Sequence, residues 1–314
     1  MWFFTSANPA LTFGGMEGET KKEMYDQLPQ GTFPKTEFIS PSMTFEEVEA
    51  IVNREFRYPF AVKPNVGMMG YMFRRINDRE ALKHYHEAMY ADYLVQELVN
   101  MPLEVSVFYY RMPGEEKGRV SGFLKKESPY VKGDGKSTIR DLMHAHEGIR
   151  FKLEEMMTKH EKALDRVLNE GEIYFLSNAS NRTQGGKLTG LEKEIDDRLL
   201  EIFDRISHYS GKFLYGRYDI KCNSIEELKE GRNFYILEYN GSGSGTQHVY
   251  GNNYSLPQAW NIILHHWKML YRISKKNSNL GIRPWNFKSG LKVLIDSKKN
   301  LKRLKALDSK FPSY

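Results

Sequence analysis

Along residues 195–209 the apolar side chains Ile195, Leu199, Ile202, Phe203 and Ile206 recur at helical spacing, which predicts a helix with one buried stripe. Elsewhere the apolar runs are short and bracketed. Residues 59–64, Pro-Phe-Ala-Val-Lys-Pro, read as a buried strand between two prolines. A glycine-bearing loop follows, and residues 71–76 return as a second strand, so a hairpin with an exposed tip is expected. Further strands are predicted at 93–98, 104–111, 119–126, 172–176, 213–221 and 233–239. Thr44, followed by Glu46 and Glu47, has the look of a helix start, and that helix should run to about Phe56. Other helices are predicted at 77–90, from Ile139 in a long charged stretch to about Asn169, and at 256–274. Residues 1–42 are rich in Gly, Pro and Thr and read as irregular, apart from a short helix near 21–28. Helices and strands are mixed and hairpins join several strands. The expected fold class is therefore α+β rather than doubly wound.

The chain has 314 residues, enough for about two domains or two joined lobes. Hydrophobic residues make up 40% and charged residues 27%, a balance that excludes wholesale disorder. Mean hydropathy is −0.59, and no apolar run approaches the roughly 20 residues that span a bilayer. Met1-Trp2-Phe3-Phe4 is apolar but short and lacks a basic flank, so it is not read as a signal peptide, and cytoplasm is the default expectation. A single cysteine, Cys222, excludes an intrachain disulfide and any multi-cysteine metal site. The net charge of +6 favours anionic ligands without choosing among nucleotides, phosphates, nucleic acid and anionic membranes. Much of the surplus lies after residue 281, where Lys288, Lys292, Lys298, Lys299, Lys302, Arg303, Lys305 and Lys310 face only Asp296 and Asp308. That stretch reads as a solvated helix face backed by Leu294, Leu301, Leu304 and Leu307, or else as a polyanion-binding tail.

The sharpest chemical signal comes from two late strands. Arg217 and Asp219 are two apart and share a strand face, as do Glu238 and Asn240. If those strands are neighbours, Asp219, Glu238 and Asn240 offer oxygen donors to one point, a set suited to Mg2+ or Mn2+. The plainer alternative is a surface salt bridge to Arg217. The glycines of residues 241–245 allow close backbone approach and could cradle an anion. Lys63 ends an apolar strand just before a loop with Gly67 and Gly70, so its ammonium could reach phosphates. Gln96-Glu97 ends another strand, a plausible hinge whose backbone could pair with an adenine edge, and Glu104 could accept from ribose hydroxyls. The adjacent His265 and His266 project from different sides of an apolar helix and read as packing, as does Cys222. His84, His86, His144 and His146 read as solvated.

Taken in order, these motifs resemble the ATP-grasp superfamily, in particular D-alanine–D-alanine ligases, cyanophycin synthetases and the ATP-grasp part of fused glutathione synthetases. Residues 131–139, with Gly133-Asp134-Gly135-Lys136, and residues 181–186, Asn-Arg-Thr-Gln-Gly-Gly, resemble segments of the cyanophycin synthetase group. The match covers about residues 20–275. The resemblance implies two α+β lobes closing over a nucleotide: a truncated pre-grasp segment at 1–42, a small lobe at 43–99, a large lobe at 100–280 and a basic tail at 281–314. It implies that Lys63 and Lys22 (or its neighbour Lys21) bind ATP phosphates, with Gly67, Gly70, Gln96, Glu97, Val99 and Glu104 completing the nucleotide site. Asp219, Glu238 and Asn240 would hold Mg2+ or Mn2+. Arg217 would stabilise the transferring phosphoryl group, and Arg182, Gly243 and Ser244 would lie near substrate. The implied reaction joins a small carboxylate to an amine through an acylphosphate, releasing ADP and phosphate. A ligase acting on a larger polymer, a non-catalytic ATP-binding module and a polyanion-binding protein are the alternatives. No nucleic acid and no membrane insertion are expected, and a homodimer is left open. The chain departs from D-alanine ligases in having about 40 residues before Thr44, in Met68 and Met69 on the glycine loop, and in lacking Pro in the acceptor loop.

Overall fold

The computed structural model describes residues 1–177, 180 and 185–311. They form two compact units, one of Met1–Phe123, Glu192–Thr246 and Ser255–Tyr314, the other of Leu124–Leu191 and Gln247–Tyr254. The fold is α+β, as the sequence predicts.

The first unit holds two antiparallel sheets. The smaller is built from β1 (Thr36–Ile39), β2 (Phe60–Pro64), β3 (Arg74–Ile76) and β4 (Tyr93–Glu97) in the order β1-β4-β2-β3. Two helices cover it, α2 (Phe45–Glu55) and α3 (Arg79–Ala88), following the short α1 (Lys21–Tyr25). Thr44 caps α2 through a reciprocal box with Glu47, and the Asp78 side chain accepts from the Ala81 N–H to cap α3. Val48, Val52, Leu82 and Tyr85 from these helices bury against Phe60, Val62, Ile76, Tyr93 and Val95 of the sheet.

The larger sheet places β11 (Phe234–Asn240) beside β10 (Tyr215–Cys222), then β5 (Leu103–Tyr110) and β6 (Arg119–Glu127). The predicted stripe lies on α6 (Asp197–Ser210), where Leu199, Ile202, Phe203 and Ile206 are all buried, and Gly211 ends the helix at φ +67. The long α9 (Leu256–Asn279) and α10 (Phe287–Asp308) complete this unit, with α7 (Ile225–Lys229) between β10 and β11.

The second unit contains β7 (Tyr130–Lys132) paired with β8 (Ile173–Phe175), β9 (Lys187–Gly190) paired with the end of β6, and the helices α4 (Ile139–His144), α5 (Leu153–Lys159) and α8 (His248–Gly251). Its core is Val131, Ile139, Met143, Ile149, Met156, Leu164, Leu168 and Leu176.

Several expectations change. The long helix predicted from Ile139 to about Asn169 is broken into α4, a 3-10 stretch at Glu147–Lys152, α5 and a further short 3-10 turn. A Cβ on Gly148 would sit 2.8 Å from the Gly185 carbonyl, so another segment approaches closely where the helix breaks. The return strand of the hairpin keeps only Arg74–Ile76, because Met69, Gly70 and Met72 adopt positive φ and turn the chain. Residues 1–42 are not wholly irregular: β1 adds an edge to the small sheet.

That N-terminal stretch is also core. Phe4, Ala7 and Phe13 pack with Phe108, Tyr110, Leu214 and Ile273. Asn8 is fully buried, and its Oδ1 accepts from the N–H groups of Leu214 and Tyr215 while its Nδ2 donates to the Tyr215 carbonyl. The basic helix α10 is anchored as firmly. Leu304 and Phe311 join the small-sheet core, and Asp308 accepts from Arg74 Nη1 at 2.8 Å and from the Met72 N–H at 2.7 Å.

Candidate active site

Strands β10 and β11 are antiparallel neighbours, with Asp219 opposite Glu238 and Arg217 opposite Asn240. All four side chains therefore stand on one face of the sheet. Arg217 grips Asp219 with two parallel bonds, Nε to Oδ1 at 2.9 Å and Nη2 to Oδ2 at 3.0 Å. The Ser106 hydroxyl donates to the same carboxylate, and Asn240 Nδ2 donates to its Oδ2 at 3.3 Å. Both members of the ion pair are buried, so this is not the surface salt bridge of the plainer alternative. Arg217 also donates from Nη1 to the Gly245 carbonyl.

Two lysines approach the Glu238 end of this cluster from the small-sheet side. Lys63, near the end of β2, donates to the Leu237 carbonyl at 3.4 Å and to the Tyr25 hydroxyl at 3.3 Å. Lys21, the first residue of α1, lies with Nζ 3.8 Å from Glu238 Oε1 and donates to the Gly67 carbonyl at 3.3 Å. Asn65 sets this helix start in place: its carbonyl accepts from the Lys21 N–H and its Oδ1 from the Lys22 N–H. Consecutive helical residues point about 100° apart, so only one of the pair can face the site. Lys22 turns away from Glu238 and pairs with the exposed Asp26, so of the two it is Lys21 that stands beside this cluster.

Burial pushes the Lys63 ammonium down to about 8 from its usual 10.5, with Glu238 opposing the shift. Lys21 is lowered as well, first by burial and then by its proximity to Lys63, with Glu238 opposing. Both enclosed cations lie near Glu238, and Lys21 also feels Glu19. Burial, the main cause of both shifts, makes the charged ammonium groups costly in the ligand-free site, a cost that an anionic ligand would offset.

The cavity beside them has a volume of about 270 Å³. Lys21, Gly67, Glu238, Asn240, Gly243 and Ser244 line it, together with Gly15–Thr20 and, from α10, Ser297, Asn300, Leu301 and Leu304. Gly70 lies at the exposed tip of the hairpin and does not reach it. Gly241 and Gly243 are explained by packing: Ser242 and Gly243 donate to the Gly14 and Gly15 carbonyls, and a Cβ on Gly243 would meet the Met16 carbonyl oxygen at 2.4 Å.

The hinge residues stand apart from this cavity. Gln96 is buried and donates to the Tyr25 hydroxyl at 3.0 Å and to Thr36. The Glu97 N–H is taken by the Lys35 carbonyl, and the Val99 carbonyl accepts from Lys221, which faces Glu104 across the sheet. Glu97 instead lines a second cavity of about 680 Å³ with Lys22, Tyr25, Phe33, Lys35 and Tyr235. Tyr25 belongs to the lining of this second cavity. Its hydroxyl accepts from Lys63 and Gln96 and donates to the Leu237 carbonyl at 2.7 Å. Arg182 lies outside the described residues.

Sequence reading missed four contributors: Asn8, Tyr25, Ser106 and Glu19. Burial, with Glu238 adding to it, pushes the Glu19 carboxyl up to about 7, and its Oε2 has no hydrogen-bond partner among the described residues. The Gly14-Gly15 pair ahead of Glu17-Gly18-Glu19 was the available sign that the backbone packs closely here.

For a divalent cation the donors are oxygen only, the Asp219 and Glu238 carboxylates and the Asn240 amide, the donor type Mg2+ takes, and both Asp219 oxygens here accept from Arg217, Ser106 or Asn240. Among the described residues no group of three or more His, Cys, Asp or Glu is placed to hold a metal, so such a site relies on Asn240.

No protein-family model matches the chain. A cyanophycin synthetase from Crocosphaera subtropica is 25% identical over 228 residues, 65% of this chain and 25% of that protein, so the chain spans about a quarter of the length of this curated relative. Among solved structures, D-alanine–D-alanine ligase from Bacillus anthracis aligns at 13% identity with a TM-score of 0.44, over 83% of this chain and 67% of that one. A D-Ala:D-Ser ligase from Enterococcus faecalis gives 13% and 0.45, over 84% and 62%. A bifunctional glutathione synthetase from Pasteurella multocida gives 12% and 0.44, over 82% and 38%. In the order of its motifs along an α+β chain, this protein resembles the ATP-grasp superfamily.

Proposed function

We propose that the chain is an ATP-dependent ligase that joins a carboxylate to an amine with release of ADP and phosphate. The observation that carries this reading is the convergence of Lys21 and Lys63 on Glu238, at one end of the Arg217–Asp219–Asn240 cluster. Two enclosed cations beside an oxygen-donor set match the needs of a phosphoryl transfer, whose charge builds on phosphate oxygens. Lys21 and Lys63 would neutralise the nucleotide phosphates. Asp219, Glu238 and Asn240 would hold Mg2+, which supplies charge neutralisation between the phosphates. Arg217, anchored by Asp219, would present its remaining N–H groups to the acyl phosphate formed from the substrate carboxylate. The smaller cavity by Gly243 and Ser244 would receive the reacting groups, and the aromatic second cavity by Phe33 and Tyr235 the base. The loop carrying Gly67 would limit water access to the acylphosphate.

The test is incubation with Mg-ATP and pools of L- and D-amino acids, following phosphate release and product masses. Phosphate release that depends on an amino-acid pool, with a product whose mass is the sum of two substrates less one water, is the expected result. Absence of turnover with every pool counts against the proposal.

A further inference from the structure

Helix α9 buries one side and leaves another apolar side open. Met269, Leu270 and Ile273 pack inward, while Leu256, Trp260, Leu264, Trp267 and Tyr271 form a stripe along the outside. Trp260 is 60% exposed, Leu264 68% and Trp267 57%, far more than a core-facing helix leaves open. The stripe continues onto α10. Tyr271 meets Phe3 edge to face at 5.7 Å, and Phe3's neighbour Trp2 stacks on Phe287 at 5.6 Å. From there the exposed Leu291 and Ile295 extend the band.

Its surroundings are mostly basic, with the exposed Asp296 beside Ile295 as the exception on α10. No Asp or Glu occurs between Glu238 and Asp296. Lys268, Arg272 and Lys275 are exposed along the flank of the α9 stripe, and Lys288 and Lys292 along that of α10. A second copy docked by a two-fold axis would set these cations against one another. An anionic surface would satisfy them while the Trp and Tyr rings sit at the level of the headgroups. No helix among the described residues is long and apolar enough to cross a membrane, which leaves surface attachment.

We infer that the α9–α10 face docks the protein peripherally on an anionic lipid surface. This stands whether or not the chain is a ligase. The full chain is sedimented with vesicles of phosphatidylcholine alone and of phosphatidylcholine mixed with phosphatidylglycerol, at low and at raised salt. Binding to the mixed vesicles only, weakening with salt and accompanied by a blue shift of tryptophan emission, is the expected result. Trp260→Ser with Trp267→Ser should abolish both. Reversing Lys268, Arg272 and Lys275 to Glu should weaken binding by about a hundredfold or more. These side chains are exposed, so unchanged circular dichroism and melting temperature confirm that the variants fold. The inference is overturned by an absence of binding to the mixed vesicles at low salt, by equal binding to neutral vesicles, or by variants that bind as the parent does. A concentration-dependent dimer lost in the tryptophan variants, with no vesicle binding, overturns it in favour of a second copy.

Discussion

Arg217 holds both carboxylate oxygens of Asp219, two residues along the same strand, in a buried pair that Ser106 and Asn240 brace from either side. Removing one partner of such a pair leaves a charge without compensation. Arg217→Ala is expected to lower stability by about 3 kcal/mol, read from the midpoint of chemical denaturation. Arg217→Lys keeps the charge but loses the planar fork, and should recover only part of that loss. Equal stability of Arg217→Ala and the parent would show that Asp219 is relieved some other way.

Lys21 and Lys22 separate the site from the solvent within one turn of helix. Lys21→Ala should weaken ATP binding about ten- to a hundredfold, the range for a hydrogen bond to a charged group. Lys22→Ala, which loses an exposed pair with Asp26, should change it by no more than about twofold. Calorimetry with a non-hydrolysable analogue distinguishes them, and a larger effect at Lys22 would reverse the assignment.

Lys63 gives a pH signature. Its pKa is about 8 in the folded chain against 10.5 when unfolded. Between those values the unfolded chain holds a proton that the folded chain lacks, so stability of the ligand-free protein should rise with pH across that window. Below about pH 8 both states are protonated and the burial penalty is fully present. Anion affinity should move the other way, weakening as pH passes 8. Lys63→Met should remove both trends, measured by melting temperature and by nucleotide titration at several pH values.

Gly243 and Gly245 differ by their neighbours. A Cβ on Gly243 meets the Met16 carbonyl at 2.4 Å, whereas one on Gly245 meets nothing within 4 Å. Gly243→Ala should therefore destabilise by about 1–3 kcal/mol, as overpacking does, and Gly245→Ala should leave the melting temperature unchanged.

Leu304 tests whether the basic C-terminal helix is part of the folded unit. It is 1% exposed in the small-sheet core, so Leu304→Ala should cost about 2–5 kcal/mol. A loosely attached tail would show no change.

The covered helices and strands were legible because their signals are local. The spacing from Leu199 to Ile206, the Thr44–Glu47 box and the prolines around 60–63 each reflect rules of period or capping that hold within a few residues. That Arg217 shares a face with Asp219, and Glu238 with Asn240, was also readable from the period of two, whereas the pairing of Asp219 with Glu238 was set by the sheet. What failed was local order overruled by packing, as in the broken helix after Ile139, where Gly148 admits the backbone of a distant segment.

By itself, then, the sequence determined an α+β chain, the strands that carry Arg217, Asp219, Glu238 and Asn240, and the strand that delivers Lys63. Tertiary structure decided which of two adjacent lysines faces Glu238, that the Tyr25 hydroxyl joins Lys63 to the Leu237 carbonyl, that Phe4, Ala7 and Phe13 are core, and that the final helix lines one side of the site. Those outcomes depend on contacts between residues tens to hundreds of positions apart. They are fixed by which surfaces can be buried together, and no short window of sequence records that.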